Sequence, residues 1–411
     1  MAIRLPRDRV PSPSADPAAG QTAHDVPCRT SSRALIIGAG IGGLAAAIAL
    51  RQAGLEVSLV EQAPVLDEIG AGLQLTPNAT RILRSLGVLD AVEAVAIAPQ
   101  ALEVIDGRSG RLLARCAYGP AAARHGAPFL AIHRADLHRV LAQTAQAAGC
   151  PILLDTRVEG IDLTEHAACA ITRRAGSPLR LEADLLVGAD GVRSTVRTQL
   201  GHAATPVFAG RVAYRASVPA PSDGPPVVRL HLGPRAHLVT YPVRGGATLN
   251  IVAVVPSDQP VMHWSAPGIP DQVHHAYAGW CADIRALLRR VSEFTCWGLY
   301  DIEPLSHWGA GRATLLGDAA HAMLPFLAQG AAQAIEDAAS LAQALAHHAR
   351  PELALRAYEA ARRPRTARIQ REARANGQVY HLAGPAALAR NLVLRLTASR
   401  LINRYDWIYE A

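Results

Sequence analysis

Three glycine-bearing segments have the residue types and spacing to hold a phosphate-containing cofactor: Gly38-Ala39-Gly40-Ile41-Gly42-Gly43, Gly188-Ala189-Asp190-Gly191-Val192-Arg193-Ser194 and Gly317-Asp318-Ala319-Ala320-His321. The first is G-x-G-x-x-G. Gly38 permits a tight turn, Gly40 lets backbone approach a pyrophosphate, and Gly43 lets a helix pack close to a strand, with phosphates at the helix N-terminus. Glu61 follows 18 residues after Gly43, where this fingerprint places an acid for a ribose hydroxyl. The other two segments each set an aspartate, Asp190 and Asp318, just beyond a short apolar run, where ligands of open α/β sheets bind. His237 and Tyr241 are four residues apart, so in a strand both side chains face one way. An imidazole can take or share a phenol proton near neutral pH; equally, an interfacial histidine and a half-buried tyrosine are common in sheets.

Elements of a particular kind must position these groups. Arg33 to Ile37 predicts a buried strand, Leu44 to Arg51 a helix ending near Gly54, and Glu56 to Val60 a second strand. The runs Leu185-Leu186-Val187 and Ala313-Thr314-Leu315-Leu316 predict two further strands feeding the other two segments. Residues 151–187 alternate like hairpin strands expected to complete the same sheet. Ile69 to Asn78 is a glycine-rich crossing in which Gly70 and Gly72 read as turn residues, followed by a helix over Asn78 to Leu86. From about 203 to 300 the segments shorten, become β-rich and are punctuated by Gly and Pro, predicting an antiparallel sheet inserted before the chain returns near Thr314. A long helix starts at Gln329 and runs to about His348.

Taken together, these motifs resemble the flavoprotein aromatic hydroxylases, single-component FAD monooxygenases, over nearly all of residues 33–411. The salicylate hydroxylase-like and 3-hydroxybenzoate 6-hydroxylase-like features are the stretch GDAAHAMLPFLAQGAAQAIEDA from Gly317 and the tail Tyr405-Asp406-Trp407-Ile408-Tyr409. The resemblance implies an α/β fold of the p-hydroxybenzoate hydroxylase-like kind: a Rossmann-like FAD-binding domain with an inserted antiparallel-sheet substrate domain and C-terminal helices. The implied boundaries are an FAD-binding domain over 33–202 and 301–350, with 70–130 partly lining the pocket, a substrate domain over 203–300 and a helical segment over 351–411. It implies that Gly38, Gly40, Gly43 and Glu61 hold the ADP half of FAD and that Arg134, opening a helix, contacts FAD. Asp190 then serves FAD and nicotinamide together, Asp318 the ribityl and pyrophosphate region, and Gly330 and Ala331 the flavin ring, while His321 is structural. His-x-x-x-Tyr points into the substrate pocket of similar hydroxylases, so His237 is expected to activate the substrate and Tyr241 to orient it.

The implied reaction is NADH- or NADPH-driven hydroxylation of a small aromatic acid or phenol through a flavin C4a-hydroperoxide. No second G-x-G-x-x-G exists, so the nicotinamide has no Rossmann domain of its own; the resemblance implies that it visits a surface groove. Gln74, Pro325 and Phe326 are the expected pocket residues. Related 3-hydroxybenzoate 6-hydroxylases place glutamine where Pro325 stands, and 6-hydroxynicotinate 3-monooxygenases place histidines where Gln74 and Phe326 stand. The pocket therefore reads as less polar, with Phe326 as a ring-stacking wall. Two other readings are an epoxidase or oxidase acting on a nonaromatic substrate, and a non-catalytic FAD-binding module; the W-x-W-x-I-P signature of flavin halogenases is absent.

Composition narrows the classes further. The 411 residues are half apolar, enough for a large core, and no uninterrupted apolar stretch approaches the ~18 to 20 residues that span a membrane. All 41 basic residues are arginine, which excludes chemistry that needs a lysine amine, such as a pyridoxal Schiff base. The net charge of +7 favours anionic aromatic acids and nicotinamide nucleotides. Arginines without a basic block, with 4% aromatics, argue against nucleic-acid binding. The six cysteines show no C-x-x-C pair and no metal spacing, as expected of reduced thiols in a cytoplasmic protein. Residues 1–32, rich in Pro, Ser, Ala and Arg, read as a disordered extension without secretory character. The arginine-rich tail is expected either to pack on the FAD domain or to bind a second subunit, with a homodimer as the expected assembly.

Overall fold

The computed structural model describes residues 32–66, 71–221, 224–261, 266–398 and 401–410; the expectations for residues 1–31 and for Gly70 lie outside them. Five strands form a parallel sheet in the order Ala313–Leu315, Leu185–Gly188, Arg33–Ile37, Glu56–Val60, Ile152–Leu153. Its strands are continuous apolar runs because helices cover both faces. In register, Ile37 lies beside Gly188 and Gly188 beside Leu315. The three motif segments, so distant in sequence, therefore leave the sheet side by side at its carboxyl edge.

Helix Ile41–Gln52 follows the first motif and packs against helices Gly330–His347 and Arg134–Ala147. Its run of alanines is almost wholly buried, since only small side chains let three helices and a strand approach this closely. At Gly43 the approach leaves no room for a side chain: a Cβ would sit 2.0 Å from Gly38 O.

A second sheet of eight strands has the order Ala266–Pro267, Thr295–Asp301, Val207–Pro219, Thr248–Pro256, His237–Val243, Val227–Leu232, Ala101–Asp106, Leu112–Ala117. Pairing is antiparallel except between Val227–Leu232 and Ala101–Asp106, which are parallel. The sheet thus recruits two strands from before residue 130, an assembly that no local pattern announces. One face buries Tyr214, Leu238 and Ile251 against Tyr277, Trp280, Ile284 and Leu288 of the segment Pro270–Arg289. The opposite face looks toward the carboxyl edge of the parallel sheet.

One expectation is corrected. Residues 151–187 complete the parallel sheet only at their two ends: Ile152–Leu153 and Leu185–Gly188 join it, while Thr156–Leu163, Ala168–Arg174 and Ser177–Ala183 form a separate antiparallel meander. Their alternation buries one face, with Ala168, Ala170 and Ala183 in the main core, so the meander stacks on the α/β layer instead of extending it. The tail packs on its own chain. Ile408 and Tyr409 are buried with Tyr118 and Phe129, Tyr409 O accepts from Arg81 Nη2 at 2.9 Å, and helix Pro351–Tyr380 lies along Gly330–His347. No helix among the described residues is long and apolar enough to cross a membrane.

Candidate active site

A cavity of about 350 Å³ lies between the carboxyl edge of the parallel sheet and the inner face of the eight-stranded sheet. On its first side are Gly40, Gly191, Asp318, Gly330 and Ala331. Two helix N-termini open there: Ile41–Gln52 after Gly40 and Gly330–His347 after Gln329, neither with a side-chain cap nor an acid in its first turn. Their unpaired N–H groups and dipoles favour negative charge. A Cβ at Gly40 would meet nothing within 4 Å, so the loop presents bare backbone to open space, as a pyrophosphate requires. Arg134 faces the same space from the start of its helix. The donors and the elongated cleft fit FAD.

Not every expected residue touches the cavity. Gly38 and Gly43 shape the turn behind it. Glu61 accepts backbone hydrogen bonds from Ala39 and Ala63, both at 2.9 Å, and thus braces the glycine turn. Asp190 accepts from Ser194 Oγ at 2.5 Å and Val196 N at 3.0 Å; burial raises its pKa against these hydrogen bonds. The neighbours of Asp190, Ala189 and Gly191, line the cavity instead. Gln74 and Pro325 line it, whereas Phe326 lies behind His237, ring centroids 5.5 Å apart and edge-on. Trp297, on the same sheet face as His237, lines the cavity.

The second side is one face of the sheet. His237, Val239 and Tyr241 alternate along one strand, Val252 and Val254 along the next, then Arg215, then Trp297 and Leu299. Burial, then His381 and Arg211, hold the His237 pKa well below the ordinary histidine value; it is a neutral base at neutral pH. Burial pushes the Tyr241 phenol up, against Arg215, so it is a proton donor. The Arg215 guanidinium lies over the Trp297 ring at 4.6 Å, and its Nε is buried without a partner. Burial lowers its pKa to about 10, which leaves it a cation, and no carboxylate pairs with it among the described residues.

The crossing strand Gly72–Leu75 closes the pocket over Tyr241. Gly72 N donates to Asn250 Oδ1 at 2.7 Å, and a Cβ at Gly72 would lie 2.5 Å from Tyr241 Cε2 and 2.8 Å from Asn250 Cγ. Gly72→Ala is expected to cost about 1–3 kcal/mol by overpacking, read as a lowered denaturant midpoint, and to weaken ligand binding through displacement of the Tyr241 ring.

The reading from sequence missed Arg215, His381 and Asp337. A lone arginine inside the apolar strand Val212 to Val218 was the only available signal for the first. Asp337 is fully buried and accepts from Gly317 N at 2.9 Å, His321 Nε2 at 2.6 Å and Arg362 Nε at 2.7 Å. It thereby fastens the third glycine motif to the long helix, with His321 as one of its tethers. Among the described residues no cluster could hold a metal ion.

Fold and cleft together define an α/β protein built to hold a dinucleotide such as FAD. The family model described as "FAD binding domain" matches residues 31–373. The chain is 37% identical to the 3-amino-4-hydroxybenzoate 2-monooxygenase of Streptomyces cremeus, over 92% of this chain and 94% of the relative. It is also 37% identical to the 3-hydroxybenzoate 6-hydroxylase of Polaromonas naphthalenivorans (strain CJ2), over 91% and 95%. Among solved structures, Klebsiella pneumoniae HpxO complexed with FAD and uric acid superposes with a TM-score of 0.82 at 26% identity, covering 92% of this chain and 96% of that one. The protein belongs to this family of FAD-dependent aromatic hydroxylases.

Proposed function

We propose that the protein hydroxylates a small aromatic ring bearing both a phenolic hydroxyl and a carboxylate, with NADH or NADPH as reductant. The observation that carries this is the polarity of the sheet face: a neutral imidazole at one end, a guanidinium with no carboxylate partner among the described residues at the other, and valines between them. Arg215 pairs with Val252, which pairs with Val239, while His237 pairs with Val254. The two groups are thus two strands apart, about 9.6 Å, and two residues along, about 6.8 Å at the backbone. Side chains reaching inward leave room for one ring between them. The substrates named for the hydroxybenzoate relatives, aromatic acids with a ring hydroxyl, support the same class.

Reduced FAD supplies an electrophilic oxygen atom derived from O2. This chain's residues do the rest. Gly40, Asp318, Gly330, Ala331 and Arg134 hold the cofactor, Glu61 and Asp190 brace the loops that do so, and Gln74 and Pro325 border the ring. Arg215 binds the carboxylate, Trp297 packs against the ring, and Tyr241 orients the hydroxyl. His237 accepts the phenolic proton, which enriches the ring for attack on oxygen. Apolar Val239, Val252, Val254 and Leu299 exclude water that would divert the oxygen to peroxide.

The test is NAD(P)H consumption and ¹⁸O2 incorporation with hydroxybenzoates, matching uncharged phenols and nonaromatic alkenes. Acids are expected to be preferred. Arg215→Gln should raise KM for acids roughly 10- to 100-fold, the worth of one hydrogen-bonded charge, and leave uncharged phenols nearly unchanged. Equal losses for acids and phenols, or oxygen transfer to the alkenes alone, overturn the assignment. A homodimer is part of the proposal, and sedimentation of the holoenzyme checks it.

A further inference from the structure

We infer that His381 is a positioning residue that fixes the tautomer of His237, so that the His237 Nε2 lone pair faces the pocket and accepts the substrate's phenolic proton. The inference rests on the proposed function for the identity of the proton donor; the tautomer itself stands on geometry alone.

His381 follows the helix Pro351–Tyr380 and its ring packs beside those of His237 and Phe326. Its Nδ1 lies 2.5 Å from Gly377 O, and its Nε2 lies 2.8 Å from His237 Nδ1. A carbonyl can only accept, so His381 Nδ1 carries a proton. In a neutral imidazole the other nitrogen is then an acceptor, and His381 Nε2 can face His237 Nδ1 only if that nitrogen donates. The proton on His237 is thereby placed at Nδ1, and Nε2 is left bare. Nε2 makes no hydrogen bond among the described residues and is not among the buried unpartnered atoms, while the residue lines the cavity.

The surroundings keep this pair neutral until a substrate arrives. Arg211 of Val207–Pro219 and Arg390 of Gly384–Thr397 are the cations that face it, and neither histidine has a carboxylate neighbour among the described residues. Phe326 and Tyr380 close its sides edge-on, and Tyr277 donates to His237 O at 2.7 Å. Burial, then Arg211, bring the His381 pKa to about 4. When a phenol binds, its O–H bond breaks, an N–H bond forms at His237 Nε2, and the ring gains phenolate character. The resulting imidazolium donates a stronger, charge-assisted bond through Nδ1 to His381 Nε2. The proton returns to oxygen when the product has formed.

The test uses FAD-loaded enzyme with ¹⁵N-labelled histidine. Long-range ¹H–¹⁵N correlation should show His237 protonated at Nδ1 in the unmodified protein. His381→Phe keeps the ring shape and removes the acceptor; it should mix the two tautomers and lower kcat roughly 10- to 100-fold, as loss of an outer partner of a metal-bound histidine does, with KM little changed. His381→Gln, whose amide oxygen can accept from Nδ1, should restore much of both. A His237 protonated at Nε2 in the unmodified protein overturns the inference, as does a His381→Phe variant with unchanged tautomer and kcat. The first readout needs no variant to fold. An Nδ1–H tautomer in an enzyme that hydroxylates no phenol would sink the proposed substrate and leave the positioning role standing.

Discussion

His237→Gln is expected to lower kcat for a hydroxybenzoate about 10²- to 10⁴-fold, the range for loss of a positioned general base, while KM shifts only slightly. The magnitude has an independent rationale. A phenol with pKa near 10 is ionised in roughly one molecule per thousand at pH 7, so a base that delivers the phenolate on demand is worth up to about 10³. The pH profile separates the base from a mere spacer. Because burial, His381 and Arg211 lower the His237 pKa, the neutral imidazole persists below pH 6.5, and activity is lost only as pH falls through that lowered value. The unmodified enzyme should therefore hold its rate in mildly acidic buffer. The variant should instead gain rate about tenfold per pH unit up to the phenol pKa as solvent supplies the phenolate. A variant with the parent profile, merely scaled, would contradict proton acceptance by His237.

Asp337→Ala is expected to cost about 3–5 kcal/mol, because it removes one of the two carboxylate partners of the buried Arg362 guanidinium and unties Gly317 and His321 from the long helix. Urea denaturation reads the loss of stability. Retention of FAD through gel filtration reads the loosening of the Gly317-Asp318 turn. Burial by itself would raise the Asp337 pKa, but His321 and Arg362 outweigh it and bring the value to about 2. The folded pKa thus lies below the unfolded one, so the contribution is complete above about pH 4 and is lost as pH falls toward 2. Its size is on the order of 2–3 kcal/mol. Asp337→Asn should remove that acid-range slope and lower stability at neutral pH, leaving Glu336 as the remaining carboxylate partner of Arg362.

The ordering of these effects reflects what each residue touches. On the proposed function, Arg215 contributes through one charged contact at the pocket wall and His237 through the bond being broken, whereas Asp337 acts through three tethers on the Gly317 turn. None of the three acts through the exposed surface, where the arginine-rich composition is most visible and where ion pairs contribute little.

Much of the α/β layer was legible because its signals are local. A strand, a glycine turn and a helix occupy residues 33–52, and each step has its own steric reason in the side chains present. The parallel pairing of Arg33–Ile37 with Leu185–Gly188 was implied by two apolar runs that end in glycine motifs. The meander over 156–183 was misplaced for the opposite reason: alternation predicts a half-buried strand but is silent on which sheet it joins. Phe326 was expected in the pocket from the resemblance to hydroxylases with a histidine at that position, yet across the short 3-10 turn Pro325–Leu327 Pro325 lines the cavity while Phe326 packs behind His237.

Residue types and short spacings determined by themselves that this chain grips a dinucleotide at the carboxyl edge of a parallel sheet and carries an imidazole and a phenol on one strand face. Only the tertiary structure decided what those groups can do. His237 meets His381 across 144 positions, and Arg215 comes to face the cavity with Trp297 beneath it and no acid beside it among the described residues. Protonation state, tautomer and unpaired charge are set by burial and by neighbours that the fold imports from remote segments, and no local pattern encodes which neighbours those will be.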